Sequence, residues 1–212
     1  MADAGKFDGI IFDVDGTLWD TTGVCAEAWN RAIEENSAEK PGLTADFLKT
    51  QFGKPMNVIF SAVLPDLSQA ERDRLSLICC EYEERWLRAN KVPCYEGVEE
   101  GLRRLAERYP LYIVSNCQNG YIEEFLRNSG LGPCITDFMC YGDTLAPKSE
   151  TMRRLIEKNG LKAPVYVGDT EGDANACREA GVPFVFVSYG FGDVKEYYAK
   201  ADSFKDLEEI FG

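Results

Sequence analysis

The sequence predicts an α/β fold: a parallel β-sheet flanked by helices, with an all-helical insert after the first strand. Three observations predict it. Short apolar runs alternate with amphipathic stretches, the repeating pattern of βαβ units. Those runs are nearly continuous in apolar residues, as expected of parallel strands covered on both faces. The interval 19–91 contains no strand pattern and several helical ones.

The first strand is expected at 9–12, Gly-Ile-Ile-Phe. The insert follows. Cys25, Ala28, Trp29, Ala32 and Ile33 form one stripe at helical spacing, and Leu75, Ile78, Cys79, Tyr82, Trp86 and Ala89 form a longer one. Pro41, Gly42, Gly53, Pro55 and Pro65 punctuate the interval. Trp29 and Trp86 lie on the stripes and are assigned to the core of the insert. Beyond it, Val98, Leu102, Leu105 and Tyr109 keep the spacing of a one-sided helix, as do Ile122, Phe125 and Leu126. Strands are expected at 111–114, 138–141, 165–167 and 184–187. The chain therefore divides into a catalytic α/β core, residues 1–18 and 92–212, and an insert, residues 19–91.

Net charge narrows the range of partners. At −13 over 212 residues, the chain lacks the Lys and Arg surface that a nucleic-acid backbone requires. No apolar run approaches the roughly 18 residues needed to span a bilayer, and Met1–Asp8 carries neither a basic region nor an apolar signal segment. A cytoplasmic protein with no membrane or nucleic-acid partner is expected, its oligomeric state open between monomer and dimer. Eight scattered cysteines without a CxxC pair read as free thiols of a reducing compartment. There is no histidine. Ser-His-Asp and Cys-His nucleophiles, HExxH zinc sites and phosphohistidine chemistry are all excluded.

Polar clusters follow four of the strands. Asp13-Val14-Asp15-Gly16-Thr17 follows the first, and Ser115-Asn116 the second. Lys148 lies past the third, at a helix start, and Gly168-Asp169-Thr170-Glu171-Gly172-Asp173 follows the fourth. In an open parallel sheet these clusters meet at one edge. Their chemistry suits phosphoryl transfer. An ionised Asp13 can attack phosphorus without a base. Asp15, two residues on, is placed to protonate the leaving oxygen and then activate water, which requires a raised pKa. Lys148 and Mg²⁺ would neutralise the phosphate, with Asp13 and Asp169 as carboxylate ligands and Asp173 orienting the metal's waters. Ser115 and the Asn116 amide would bind phosphate oxygens.

In order, these segments resemble the four motifs of the haloacid dehalogenase-like (HAD) hydrolases, over nearly the whole chain. The resemblance implies a Rossmann-like core with a mobile cap, here the α-helical insert typical of the branch containing phosphoglycolate phosphatases and β-phosphoglucomutases. It also implies that the Asp15 backbone carbonyl ligates magnesium. Two features depart from the common pattern. Proline usually follows the third-motif lysine, whereas here Pro147 precedes Lys148 and Ser149 follows it. The dehalogenases lack the second aspartate, so Asp15 points to phosphate esters.

The resemblance implies a phosphatase acting on a small phosphorylated metabolite, with phosphoglycolate as first candidate. A phosphomutase is an alternative, with Lys54 and Arg72 or Arg74 holding a second phosphate. A non-catalytic phosphometabolite-binding protein is another. Gln51-Phe52-Gly53-Lys54-Pro55 resembles the cap loop that reaches into the site in this branch, making Lys54 a candidate substrate-binding residue. The Cys-x5-Arg spacings at Cys25 and Cys79 lack the glycines of a phosphate-encircling loop and read as coincidence.

Overall fold

The computed structural model describes residues 6–212; the Met1–Gly5 part of the N-terminal reading lies outside them. Strand β1 (Gly9–Phe12) is followed by four helices, α1 (Thr22–Asn36), α2 (Ala45–Lys49), α3 (Met56–Val63) and α4 (Gln69–Ala89). Then come α5 (Val98–Ala106), β2 (Leu111–Ser115), α6 (Tyr121–Ser129), β3 (Ile135–Cys140), α7 (Tyr141–Thr144) and α8 (Lys148–Asn159). The chain closes with β4 (Pro164–Gly168), α9 (Glu171–Ala180), β5 (Phe184–Val187), β6 (Ala199–Ala201) and α10 (Phe204–Phe211).

The six strands form one parallel sheet in the order β3-β2-β1-β4-β5-β6. The chain winds outward from β1 through β2 to β3, then crosses to β4 on the other side of β1. That reversal opens a crevice at the carboxyl end of β1. Successive side chains of β1 point to opposite faces. Ile10 and Phe12 join Ile113, Val165, Leu102, Phe125 and Phe204 on one face. Ile11 joins Tyr112, Tyr166, Met152 and Leu155 on the other.

The insert has an apolar cluster of its own, built on Cys25, Trp29, Ile33, Leu48, Phe60, Leu75 and Cys79. Trp86 departs from the expected placement: it packs against the core cluster of the sheet rather than that of the insert. A helix of 21 residues runs about 31 Å. The carboxyl end of α4 therefore reaches α6, where Arg88 meets Glu124 at 2.9 Å.

Strand β3 begins earlier than expected, and Tyr141 belongs to α7. Its Ile-Thr-Asp start sits on a half-exposed edge strand, so it lacks the continuous apolar run that marks a central strand. Strand β6 was not foreseen: three residues at the opposite edge carry too little pattern. Among the described residues, no helix is long and apolar enough to cross a membrane.

Candidate active site

The site grows from the end of β1. The Asp13 amide donates to the Val167 carbonyl at 2.9 Å, continuing the β1–β4 ladder one residue beyond the strand and fixing the carboxylate at the crevice. The chain then turns sharply, the Thr17 and Leu18 amides returning to the Val14 carbonyl. Gly16 adopts φ +81°, and a Cβ there would lie 2.2 Å from Asp169 Oδ2, so only glycine fits.

Lys148 opens α8 immediately after Pro147, whose fixed φ suits the helix entry. Its buried ammonium donates to Asp13 Oδ1 at 3.0 Å and Asp173 Oδ1 at 2.6 Å. Pro147 on the unusual side of the lysine thus leaves Lys148 directed into the carboxylates. Asp173 sits in the first turn of α9 in a capping box: its Oδ2 accepts from the Thr170 amide at 3.0 Å and the Thr170 hydroxyl at 2.6 Å. Asp169 accepts from the Phe191 amide at 2.7 Å and the Thr17 hydroxyl at 3.2 Å.

Ligand atoms of Asp13, Asp169 and Asp173 all lie within 4.8 Å of one another. One ammonium faces three buried carboxylates. Burial pushes Asp13 up to about 6 against the pull of Lys148. Burial, with the charges of Asp173 and Asp13, drives Asp169 well above its ordinary value. An all-oxygen, electron-rich cradle short of positive charge fits a hard divalent cation such as Mg²⁺.

Asp15 is held differently. Its Oδ1 accepts from the Tyr121 hydroxyl at 2.6 Å and the Thr21 hydroxyl at 3.1 Å. Burial raises it to about 8, with Asp13 and Glu83 adding to the rise and Tyr121 opposing it. The two carboxyls therefore differ: Asp13 is raised to about 6, above the ordinary value expected of it, and Asp15 to about 8.

A narrow cleft lies over these groups, lined by Asp13, Asp15, Ser115, Asn116 and Lys54 with residues of the insert. The Asn116 side-chain nitrogen donates to the Gly53 carbonyl of the insert loop at 2.8 Å. Lys54 Nζ donates to the Thr50 carbonyl and Gln51 Oε1, each at 3.0 Å. Arg72 and Arg74 do not line the cleft. Arg74 pairs with Glu71 at 2.6 Å and Arg72 with Gln69 at 3.1 Å, so the second-phosphate role considered for them is corrected. Cys25 is buried, and burial drives its thiol well above its ordinary range, leaving no thiolate for a cysteine-phosphatase loop.

Sequence reasoning missed Tyr121, Thr21, Gln118 and Glu83, and Trp29 as a wall of the cleft. Glu83 was detectable. It falls on the buried i, i+4 row Leu75, Cys79, Glu83, Leu87 of α4, where a charge is out of place.

The family model described as "Haloacid dehalogenase-like hydrolase" matches residues 10–187. A phosphoglycolate phosphatase of Aliivibrio fischeri is 27% identical over 199 residues, covering 86% of this chain and 84% of that protein. Another from Nitrosospira multiformis is 29% identical, covering 89% and 86%. A haloacid dehalogenase-like family hydrolase structure from Streptococcus pneumoniae superposes with a TM-score of 0.83 at 19% identity, covering 98% of this chain and 99% of that one. With its four motif segments gathered at one sheet edge beneath a helical insert, the chain belongs to the haloacid dehalogenase-like hydrolases.

Proposed function

We propose that this chain is a cytoplasmic, magnesium-dependent phosphatase, phosphoglycolate phosphatase-like, that hydrolyses the phosphate monoester of a small metabolite through an aspartyl-phosphate. The observation that carries the reading is the pairing of two buried carboxyls in unlike environments: Asp13 against Lys148, and Asp15 against the Tyr121 and Thr21 hydroxyls. An Asp13 oxygen attacks phosphorus and the bond to the ester oxygen breaks. Asp15 gives its proton to that departing oxygen. The Asp15 carboxylate then takes a proton from water as the water oxygen attacks phosphorus. The Asp13–phosphorus bond breaks, releasing inorganic phosphate and restoring both residues.

Mg²⁺ bound by Asp13, Asp169, Asp173 and the Asp15 carbonyl would supply positive charge against the phosphate oxygens. Ser115 and Asn116 hold further phosphate oxygens, and Lys148 keeps Asp13 ionised and oriented. Residues 19–91 act as the cap, with Lys54 at its rim near substrate. Closing that cap removes bulk water from the reacting groups.

The test is phosphate release from a panel of phosphomonoesters, with magnesium or excess chelator, for wild type and Asp13→Asn. Release that requires magnesium and disappears in the variant is expected. Magnesium-dependent release surviving in Asp13→Asn would overturn the nucleophile assignment.

A further inference from the structure

The cleft contains a carboxylate that the reaction does not use. Glu83 reaches it from α4, is 2% exposed, and lines it together with Asp13 and Asp15. Its Oε2 accepts from the Trp29 indole at 2.8 Å, and its Oε1 from Gln118 at a long 3.4 Å. The Cys25 thiol is also directed at it, so of the roughly four acceptor positions of a carboxylate about one remains open. Among the described residues, no ion pair includes Glu83. Lys54 is the one cation lining the cleft among those residues, and its ammonium is bound to Thr50 and Gln51 instead.

A buried carboxyl without a cation is destabilising unless something else satisfies it. Burial has already pushed Glu83 up to about 7. Serving the Trp29 indole does not by itself call for an acid, since a neutral glutamine would accept the same hydrogen bond. The neighbouring wall is apolar, formed by Trp29, Phe52, Met56 and Ile59. Glu83 and this wall line the part of the cleft beside Asp13 and Asp15, where the organic part of a substrate whose phosphate sits at Asp13 would lie once the insert opens.

We propose that Glu83 is a specificity-determining residue that accepts hydrogen bonds from a hydroxyl or ammonium on the leaving group. It thereby selects phosphate esters of polyols or amino alcohols over those ending in a carboxylate. The inference rests on the phosphatase chemistry proposed above, and replaces the phosphoglycolate named for the relatives with a donor-bearing ester as first candidate substrate. A leaving group bearing a carboxylate offers Glu83 no donor and brings negative charge into a pocket that already holds Asp13. A donor-bearing group satisfies the open acceptor, and a site built to bind a donor discriminates against analogues lacking it.

The experiment measures kcat and KM of the full chain with magnesium on glycerol 3-phosphate, phosphoethanolamine, phosphoglycolate and acetyl phosphate. Wild type, Glu83→Gln and Glu83→Ala are compared. One of the two donor-bearing esters is expected to exceed phosphoglycolate in kcat/KM by about tenfold or more. Glu83→Ala is expected to erase that preference, mainly through KM on the donor-bearing ester. If phosphoethanolamine leads and Glu83→Gln loses the lead, the group is an ammonium. If glycerol 3-phosphate leads and Glu83→Gln keeps the lead, it is a hydroxyl.

A wild-type preference for phosphoglycolate would overturn the proposal without any variant. So would a preference unchanged in both variants, which would leave Glu83 a structural partner of Trp29. Acetyl phosphate separates the two readings. If it is hydrolysed by wild type but not by Asp13→Asn, and no donor preference exists, only the Glu83 proposal fails. No release from any substrate would overturn the phosphatase reading and this one with it.

Discussion

Replacing Tyr121 by phenylalanine should move the pH dependence of catalysis in one direction by a calculable amount. The ring stays, keeping its edge contact with Trp19 at 5.7 Å between centroids. Only the hydroxyl that donates to Asp15 Oδ1 at 2.6 Å is lost. That hydrogen bond favours the ionised carboxylate, so its removal raises the Asp15 pKa from about 8. A hydrogen bond to a charged group contributes about 1.5–3 kcal/mol. At about 1.4 kcal/mol per unit, the rise is roughly one to two units. Thr21 still donates to the same oxygen at 3.1 Å, so the lower end is expected.

Protonated Asp15 is the acid of the first step. In wild type, kcat/KM should therefore fall as pH rises through the Asp15 pKa. In Tyr121→Phe the alkaline limb should move up by about one unit. The assay is kcat/KM against pH on one phosphomonoester, from neutral into the alkaline range. An alkaline limb that stays in place, or moves down, would refute the assignment of Asp15 as that acid.

Other substitutions probe the carboxylate cluster. Lys148→Met leaves Asp13 and Asp173 buried without their cation and should cost about 3–5 kcal/mol in denaturant unfolding. Asp13 already sits at about 6, above its ordinary value, so folding takes up a proton and stability falls as pH rises through that range. Without Lys148 the range moves upward, and the deficit should be largest above neutral pH. Magnesium at about a hundred times its Kd should stabilise wild type by about 2.7 kcal/mol. Asp169→Asn should abolish most of that gain in thermal melts, and equal gains in both proteins would remove Asp169 from the ligand set. Gly16→Ala forces a side chain onto φ +81° and toward Asp169. A loss of about 1–3 kcal/mol and a weakened response to magnesium are expected, read in the same melts.

The groups at the strand ends were legible because two patterns coincide there. An apolar run marks a strand buried on both faces, and an acid directly after it marks where the chain leaves the sheet. In a parallel sheet every such exit lies on one edge, so Asp13, Ser115 and Asp169 could be brought together without coordinates. Lys148 required one further step, that a helix starts at it. Edge strands were less legible because solvent on one side interrupts the apolar run, as at the Ile135 end of β3 and throughout β6. Tyr121 and Glu83 were missed for the opposite reason. Tyr121 reads as an ordinary apolar residue of α6, and its hydroxyl matters only because Asp15, 106 residues away, lies under it. Glu83 interrupts a stripe that remains convincing without it.

The residues joining the insert to the core are also those lining the cleft. Asn116 donates to the Gly53 carbonyl, Gln118 to Glu83, and Phe52 packs edge-on against Phe191 at 6.4 Å. The Phe191 amide in turn donates to Asp169. Gly53 adopts φ +87° with Thr170 so close that a Cβ would lie 3.3 Å from its methyl, so the loop approaches the core by its backbone. Asn116 Oδ1 is buried and has no partner among the described residues, leaving an acceptor beside the Gly53 bond. A substrate in the cleft therefore touches the same side chains that hold the insert down. On the phosphatase reading proposed above, recognition and closure are coupled. Substitutions in the 51–55 loop should alter kcat as well as KM, because weakening its hold on the core also loosens the proposed lid over Asp13.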